Sequence, residues 1–169
     1  QSLKIIAIVG AKKSANHKKY FTELIKFLHT QKKEILLDAS IAKILGHKPA
    51  SNKQIKNSDL ILVFGGDGAL LGAVRDYFGS KAKFAGVRMD GTLGFLTEYL
   101  PKNLIKLLTE FFAGKFEISE RILLQATVWR DNKIIKKLQA LNEIAIQQKS
   151  IAELIELDFD LNNQKIATF

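Results

Sequence analysis

The chain of 169 residues contains no cysteine, which excludes disulfide bonds and thiolate chemistry. Histidine is also scarce, since only His17, His29 and His47 occur, and they show no metal-ligand spacing with one another or with a carboxylate cluster. We therefore expect no metal ion that is held by side chains alone. No run of about 18 apolar residues is present either, so we expect no transmembrane helix and no membrane partner.

The first nine residues lack the basic, long apolar and small-residue sections of a secretory signal. We therefore expect a soluble, cytoplasmic protein. With 47% hydrophobic residues the chain can bury a substantial core, in one large domain or in two small ones.

The net charge is +9, from 26 Lys and Arg against 17 Asp and Glu, and it favours anionic partners such as nucleotides, polyphosphate or nucleic acid. Many lysines occur as scattered pairs, such as Lys12-Lys13 and Lys136-Lys137, without the interleaved aromatics of a nucleic-acid surface. We interpret most of them as solvated surface residues, because exposed lysine is the normal case. The predicted partners are therefore nucleotides or polyphosphate and not nucleic acid.

An apolar run over Leu60–Phe64 leads directly into the glycine-rich residues 65–68, which include Asp67. Glycines remove side chains where a ligand backbone approaches, and they permit a sharp turn from strand to helix. A carboxylate beside phosphates is repelled by them, so we expect Asp67 either to accept a hydroxyl proton or to hold a cation that bridges to phosphate. The alternative is an Asx-type turn in which Asp67 only satisfies local amides.

Strands and helices alternate through the first hundred residues, which predicts a doubly wound α/β layer with a parallel sheet. We predict four strands and two helices: Leu3–Val9, a helix near residues 20–28, Glu34–Leu37, Leu60–Phe64, a helix at 69–77, and Phe84–Val87. Glycine clusters follow two of these strands. Ligands of such sheets bind beyond the carboxyl ends of the strands, so we expect a site there.

After Pro101 an amphipathic helix runs to Gly114, and the pattern then becomes that of an antiparallel β region. We predict strands at residues 121–129, 134–138, 140–147, 152–161 and 164–169, with turns at Asp131-Asn132 and Asn162-Asn163. The predicted fold is therefore α/β, a Rossmann-like parallel sheet with helices followed by the start of a β-rich (β-sandwich) domain. The predicted division is an α/β domain at 1–100, a connecting helix at 101–118 and an incomplete β-rich domain at 119–169.

Four segments, taken in order and spacing, resemble the NAD kinase family. They are Gly65–Leu71, Gly91–Thr97, Glu120–Leu124 and Ala140–Ile146. NAD kinases phosphorylate the 2′-hydroxyl of the adenosine ribose of NAD, with ATP or in some members inorganic polyphosphate, and they use Mg²⁺ or another divalent cation. The resemblance implies an α/β domain followed by a β-rich domain, which agrees with the organisation deduced from the pattern.

The resemblance also implies a role for individual residues. Asp67 matches the catalytic carboxylate that takes the proton from the ribose hydroxyl, and Asn142 and Glu143 match an Asn-Glu pair that contacts the dinucleotide. The complete implied nucleotide site comprises Gly66, Asp67, Gly68, Leu71, Phe95, Asn142 and Glu143. On the residues alone, core packing is favoured for Phe95, whereas Asn142-Glu143 equally suits an exposed strand start.

The sequence departs from the family pattern at several places. Ala69 replaces a usual Thr, Arg88, Met89 and Asp90 interrupt a usual Gly-Ile-Asn-x-Gly segment, and Glu153 lies where members often have a basic residue. The family's downstream Gly-Asp-Gly and Thr-Pro-Thr-Gly-Ser-Thr-Ala-Tyr segments are absent from the 169 residues. We therefore expect this segment alone to be inactive, and we expect a homo-oligomer, either a dimer or a tetramer.

Two other classes of function remain open on the sequence. A lipid kinase of the diacylglycerol or sphingoid-base type shares the GGDG turn and a related two-domain fold, although the Leu-Gly-Phe-Leu-Thr and Leu-Asn-Glu segments argue against it. A nucleotide-binding module without turnover, or an interaction domain that assembles through its β sheet, is the second alternative. A diguanylate cyclase is disfavoured, because its Gly-Gly-Asp lies on a hairpin whereas Gly68-Ala69 opens a predicted helix.

Overall fold

The computed structural model of the chain describes residues 3–10, 17–89, 96–97, 101–147 and 155–169. Helices and strands alternate in its first part, and two hairpins follow in its second part. In chain order the elements are β1 (Ile5–Gly10), α1 (Lys18–Thr30), β2 (Glu34–Leu37), α2 (Ala39–Leu45), α3 (Asn52–Lys56), β3 (Leu60–Phe64), α4 (Asp67–Asp76), β4 (Lys83–Val87), α5 (Pro101–Phe112), β5 (Leu124–Arg130), β6 (Lys133–Ala140), β7 (Asp158–Leu161) and β8 (Gln164–Thr168).

Strands β1 to β4 form a parallel sheet in the order β2-β1-β3-β4, which confirms the predicted parallel layer. Alternate residues of β1 enter two separate apolar clusters, Ile6 and Ile8 on one face and Ala7 and Val9 on the other. Helices α1, α2 and α5 contribute to the first cluster, and α3 and α4 contribute to the second. Because both faces are covered, all five residues of β3 are buried, as its continuous apolar run predicts.

The strand order makes β1 and β3 neighbours, and the chain leaves them towards opposite faces of the sheet. The helix after β1 packs on the first face, whereas the helix after β3 packs on the second. A crevice forms at such a switch point, outside the carboxyl ends of the strands. The glycine-rich residues 65–68 follow β3 directly and therefore lie at this position.

Two carboxylates anchor β1 at its two ends. Asp59 accepts hydrogen bonds from the amides of Lys4 at 2.7 Å and Ile5 at 2.8 Å. Asp38 accepts one from the amide of Gly10 at 3.0 Å and one from Ile41 at 2.8 Å, which caps α2. Burial raises the pKa of Asp38 above its ordinary value, and these backbone hydrogen bonds oppose the rise only in part.

Helices α2 and α3 are absent from the sequence prediction, although capping signals for both are present in the chain. Asp38 caps the start of α2, and Gly46 ends it in the left-handed conformation with φ of 71°. Ser51 and Gln54 form a capping box at the start of α3. Helix α2 has seven residues and helix α3 has five, so both are about two turns long or shorter. Neither shows enough apolar periodicity to be recognised from spacing alone.

The second half contains two antiparallel hairpins, β5–β6 and β7–β8. Their turns are confirmed at Asp131-Asn132 and Asn162-Asn163, where all four residues have positive φ, as two-residue hairpin turns require. The strand predicted at 140–147 is wrong beyond Ala140. Ala140 pairs with Leu124, the first residue of β5, so within the described part of the chain the following residues have no partner strand on that side. Of the strand predicted at 152–161, only residues 158–161 form one, and residues 148–154 lie outside the described part.

Among the described residues, no helix is both long enough and apolar enough to cross a membrane.

Candidate active site

The turn after β3 delivers Asp67 to the first position of helix α4. Gly65 has φ of 152°, a conformation that side chains rarely allow, and Gly66 is the residue before the helix. The helix therefore begins two residues earlier than the sequence prediction of 69–77, because the glycine turn is complete before Asp67. A carboxylate in the first turn of a helix lies in the favourable field of the backbone amides.

Asp67 is hydrogen-bonded to a distant segment of the chain. Its Oδ1 accepts from the amide of Leu96 at 3.2 Å, the amide of Thr97 at 3.1 Å and the hydroxyl of Thr97 at 2.9 Å. These donors lie 29 and 30 residues further along the chain. The alternative in which Asp67 satisfies only local amides is therefore wrong, since the carboxylate joins the start of α4 to the segment that follows β4.

Arg88 lies directly after β4 and brings a buried positive charge to this carboxylate. Its Nη2 is 3.6 Å from Oδ1 of Asp67, and it donates a hydrogen bond of 2.7 Å to the hydroxyl of Thr97. Arg88 is only 7% exposed, and its Nε has no hydrogen-bond partner in the described structure. Burial of a guanidinium is costly unless it is paired, so the contact with Asp67 explains how Arg88 is tolerated here.

The sequence prediction did not assign Arg88 or Thr97 to the site. Arg88 attracted notice only as a departure from the family pattern, and Thr97 only as the last residue of a matching segment. The available signal was an arginine at the end of a buried strand, next to a predicted phosphate-binding turn. A charged side chain that is buried at such a position needs an opposite charge close to it, which here is a carboxylate.

A cavity of about 360 Å³ brings together four of the residues predicted from sequence. Gly68 and Leu71 line it from α4, and Asn142 and Glu143 line it from the segment after β6. Its size lies within the range of small-molecule sites. The pair on α4 and the pair after β6 are more than 70 positions apart in sequence. Their proximity therefore depends on how the hairpin β5–β6 approaches α4.

The remaining predicted residues have different positions. Asp67 directly precedes the cavity-lining Gly68 but is not itself among the residues that line the cavity, and Gly66 is exposed at the start of α4. Asn142 and Glu143 are exposed and follow the end of β6, so they do not start a strand. Phe95 lies outside the described residues.

A second cavity, of about 580 Å³, lies along β4 and contains none of the predicted site residues. Its wall is largely apolar and includes Phe84, Phe111 and Phe116. Of these two cavities, the smaller one is lined by Gly68 of the glycine turn and by the adjacent Asn142 and Glu143, and the larger one is not. We therefore place the candidate active site at the smaller one.

No group of three or more His, Cys, Asp or Glu side chains that could hold a metal ion is found within the described ranges. Magnesium binds nucleotide sites differently, through one or two carboxylates together with substrate phosphates and water. Such a mode does not require a cluster of three protein ligands.

The described part of the chain is an α/β protein with a carboxylate in a glycine turn at the switch point of a parallel sheet. The family model described as ATP-NAD kinase N-terminal domain matches residues 6–116. The chain belongs to the ATP-NAD kinase family.

Curated relatives agree with this assignment. The NAD kinase of Teredinibacter turnerae is 32% identical over 168 residues, which cover 97% of this chain and 57% of the relative. The NAD kinase of Trichlorobacter lovleyi is 33% identical over 150 residues, which cover 88% of this chain and 52% of the relative. The chain thus spans little more than half the length of these relatives.

A solved structure also resembles the chain. The crystal structure of yeast NADH kinase complexed with NADH aligns with a TM-score of 0.79 at 18% identity, over 99% of this chain and 55% of that one. At this identity the likeness demonstrates a shared fold.

Proposed function

We propose that the chain is part of an NAD kinase, which transfers a phosphoryl group from ATP or polyphosphate to the 2′-hydroxyl of the adenosine ribose of NAD. The observation that carries the proposal is that Asp67 directly precedes Gly68, which lines a cavity together with Leu71, Asn142 and Glu143. The family membership and the relatives named NAD kinase support it. The domain division at residues 100 and 118, the cytoplasmic location and the homo-oligomeric state remain predictions.

In this proposal Asp67 is the general base. Its carboxylate accepts the proton of the ribose 2′-hydroxyl while the hydroxyl oxygen forms a bond to the terminal phosphorus of the donor, and the bond from that phosphorus to the leaving oxygen breaks. A divalent cation on the donor phosphates would supply neutralisation of their charge. The work left to the chain is mainly positioning, because phosphoryl transfer needs the attacking and leaving oxygens in line.

Asn142 and Glu143 are proposed to orient the dinucleotide. The Asn142 amide offers both donors and acceptors for the edge of a base, and the Glu143 carboxylate accepts hydrogen bonds from ribose hydroxyls. Leu71 supplies an apolar wall on the facing helix. Gly68 leaves room beside it, because a Cβ atom added to Gly68 would meet no atom of the described residues within 4 Å.

The test is the Asp67→Asn variant in the full-length natural chain, assayed for NADP formation with NAD, Mg²⁺ and either ATP or polyphosphate. The amide oxygen of Asn keeps an acceptor for Leu96 and Thr97, but the buried Arg88 loses its countercharge, so retention of the fold is to be checked by circular dichroism. Turnover should fall by about 10²- to 10⁴-fold, the usual contribution of a general base.

Asp59→Asn is the matched control, because Asp59 also accepts two backbone amides but lies at the opposite end of the strands. This control should keep turnover close to the wild-type value. Near-normal turnover of Asp67→Asn would overturn the assignment of the base. Absence of NADP formation by the wild-type chain would overturn the proposed function itself.

A further inference from the structure

The buried chain of contacts from Arg88 through Thr97 to Asp67 has no role in the mechanism given above. We propose that Arg88 and Thr97 are positioning residues, which hold the Asp67 carboxylate in the orientation that proton transfer requires. The inference rests on the proposed function and concerns two residues that touch the reaction only through Asp67.

The hydrogen bonds in this chain can run in only one direction. A guanidinium has donors and no acceptor, so the 2.7 Å contact means that Arg88 donates and the Thr97 oxygen accepts. The single proton of the Thr97 hydroxyl is then directed to Oδ1 of Asp67, at 2.9 Å. An ionised carboxylate only accepts, so the direction of the whole chain matches Asp67 in the charged form that a general base needs.

The orientation of Thr97 is itself restricted by its packing against β4. A Cβ atom added to Gly86 would lie 2.7 Å from the Thr97 γ-methyl and 3.1 Å from the Thr97 Cα. The methyl group therefore occupies the space that the absent side chain of Gly86 leaves. Because a threonine side chain has few allowed χ1 angles, the position of the methyl group also fixes the direction of the hydroxyl group, which is towards Asp67.

Three hydrogen-bond donors converge on one carboxylate oxygen, namely two amides and one hydroxyl, and the Arg88 guanidinium forms an ion pair with the same oxygen at 3.6 Å. Such a set restrains rotation of the carboxylate more than a single hydrogen bond does. Rates of positioned reactions are sensitive to displacement, since a shift of about 1 Å can cost about 10²-fold. Loss of the Thr97 hydroxyl should therefore lower the rate of the chemical step and leave substrate affinity almost unchanged.

The experiment compares Thr97→Val with Thr97→Ser in the full-length natural chain, with NAD and Mg²⁺-ATP as substrates. Valine keeps the shape and the methyl that packs on Gly86 but removes the hydroxyl, whereas serine keeps the hydroxyl. We expect Thr97→Val to lower kcat by about 10- to 100-fold, with the KM for NAD within about twofold of wild type. Thr97→Ser should recover most of the lost kcat.

Arg88→Met tests the other half of the chain of contacts, because methionine fills much of the same volume without the guanidinium. It should lower kcat to a similar extent. The double variant Arg88→Met/Thr97→Val should fall no further than the larger single effect, since both residues act through one carboxylate. Folding of each variant is judged by circular dichroism and by calorimetric binding of NAD. If Thr97→Val does not fold, Arg88→Met provides the same test.

Wild-type kcat in folded Thr97→Val or folded Arg88→Met would overturn the inference. So would a raised KM with unchanged kcat, because the two residues would then shape the binding site and not the base. If Asp67→Asn is inactive while Thr97→Val and Arg88→Met remain fully active, only the positioning role fails. If the wild-type chain forms no NADP, both the proposed function and the positioning role fail.

Discussion

Replacing Gly86 with alanine tests whether the segment carrying Thr97 must lie directly against β4. The added methyl would lie 2.7 Å from the Thr97 γ-methyl and 3.3 Å from the Leu96 carbonyl oxygen. Ordinary contact between two carbons begins at about 3.5 Å, so the segment must retreat by about 0.8 Å. Neither atom belongs to the end of a flexible side chain, so the backbone has to move.

Such a movement acts directly on Asp67. The three hydrogen bonds from Leu96 and Thr97 have lengths of 2.9 to 3.2 Å, and the same retreat would stretch or bend all of them. We expect the free energy of unfolding to fall by about 1–3 kcal/mol, as is usual for overpacking a well-packed site. Turnover should fall as well, because the carboxylate loses its restraint.

Gly72→Ala is the matched control. The same methyl is added within α4, where the end of the Arg75 side chain, at 4.0 Å, is the one contact among the described residues. Alanine is favoured over glycine inside a helix, so this variant should gain about 0.5–1 kcal/mol of stability. Urea unfolding of both variants gives the comparison. Wild-type stability and wild-type turnover in Gly86→Ala would refute the tight packing that the structure describes.

Two further predictions concern the dinucleotide and the behaviour at high pH. Truncating Asn142 to Ala should weaken NAD binding by about 1–3 kcal/mol in calorimetry, which is the cost of unmade hydrogen bonds in a pocket. The control is Asn103→Ala on the exposed start of α5, which should leave the affinity for NAD unchanged. Equal NAD affinities of the two variants would mean that Asn142 has a structural role. Burial, aided by the charges of Asp38 and Asp76, raises the pKa of Tyr77 to about 12. The neutral phenol is therefore favoured in the folded state, so its contribution to stability is complete below about pH 10 and is lost as the pH rises from about 10 to 12. Unfolding measured across that range should show a decline that Tyr77→Phe reduces, and an identical decline in the variant would contradict this interpretation.

The parallel sheet could be predicted because each of its strands is a short apolar run followed by turn residues. The hairpin turns could be predicted too, since Asp131-Asn132 and Asn162-Asn163 are residue types that tolerate positive φ. These are local properties of the chain, and a single sequence displays them directly.

The contacts of Asp67 could not be predicted in the same way. They join residues about 30 positions apart, and they depend on the close approach of Thr97 to a glycine on β4. Periodicity contains no information on such an approach. The end of β6 at Ala140 is similar, because it depends on where the partner strand begins and not on the polarity of the residues that follow.

The two carboxylates that anchor β1 have a consequence for how the sheet chooses its alignment during folding. Both faces of β1 are apolar, so a slip by one residue would exchange Ile6 and Ile8 with Ala7 and Val9 while still burying hydrophobic groups. Hydrophobic patterning therefore discriminates poorly between neighbouring alignments. Asp59 at one end and Asp38 at the other each accept specific amides of this strand, and a slipped strand would leave these carboxylates without their donors. The polar ends of the strand thus select one alignment where its apolar middle does not.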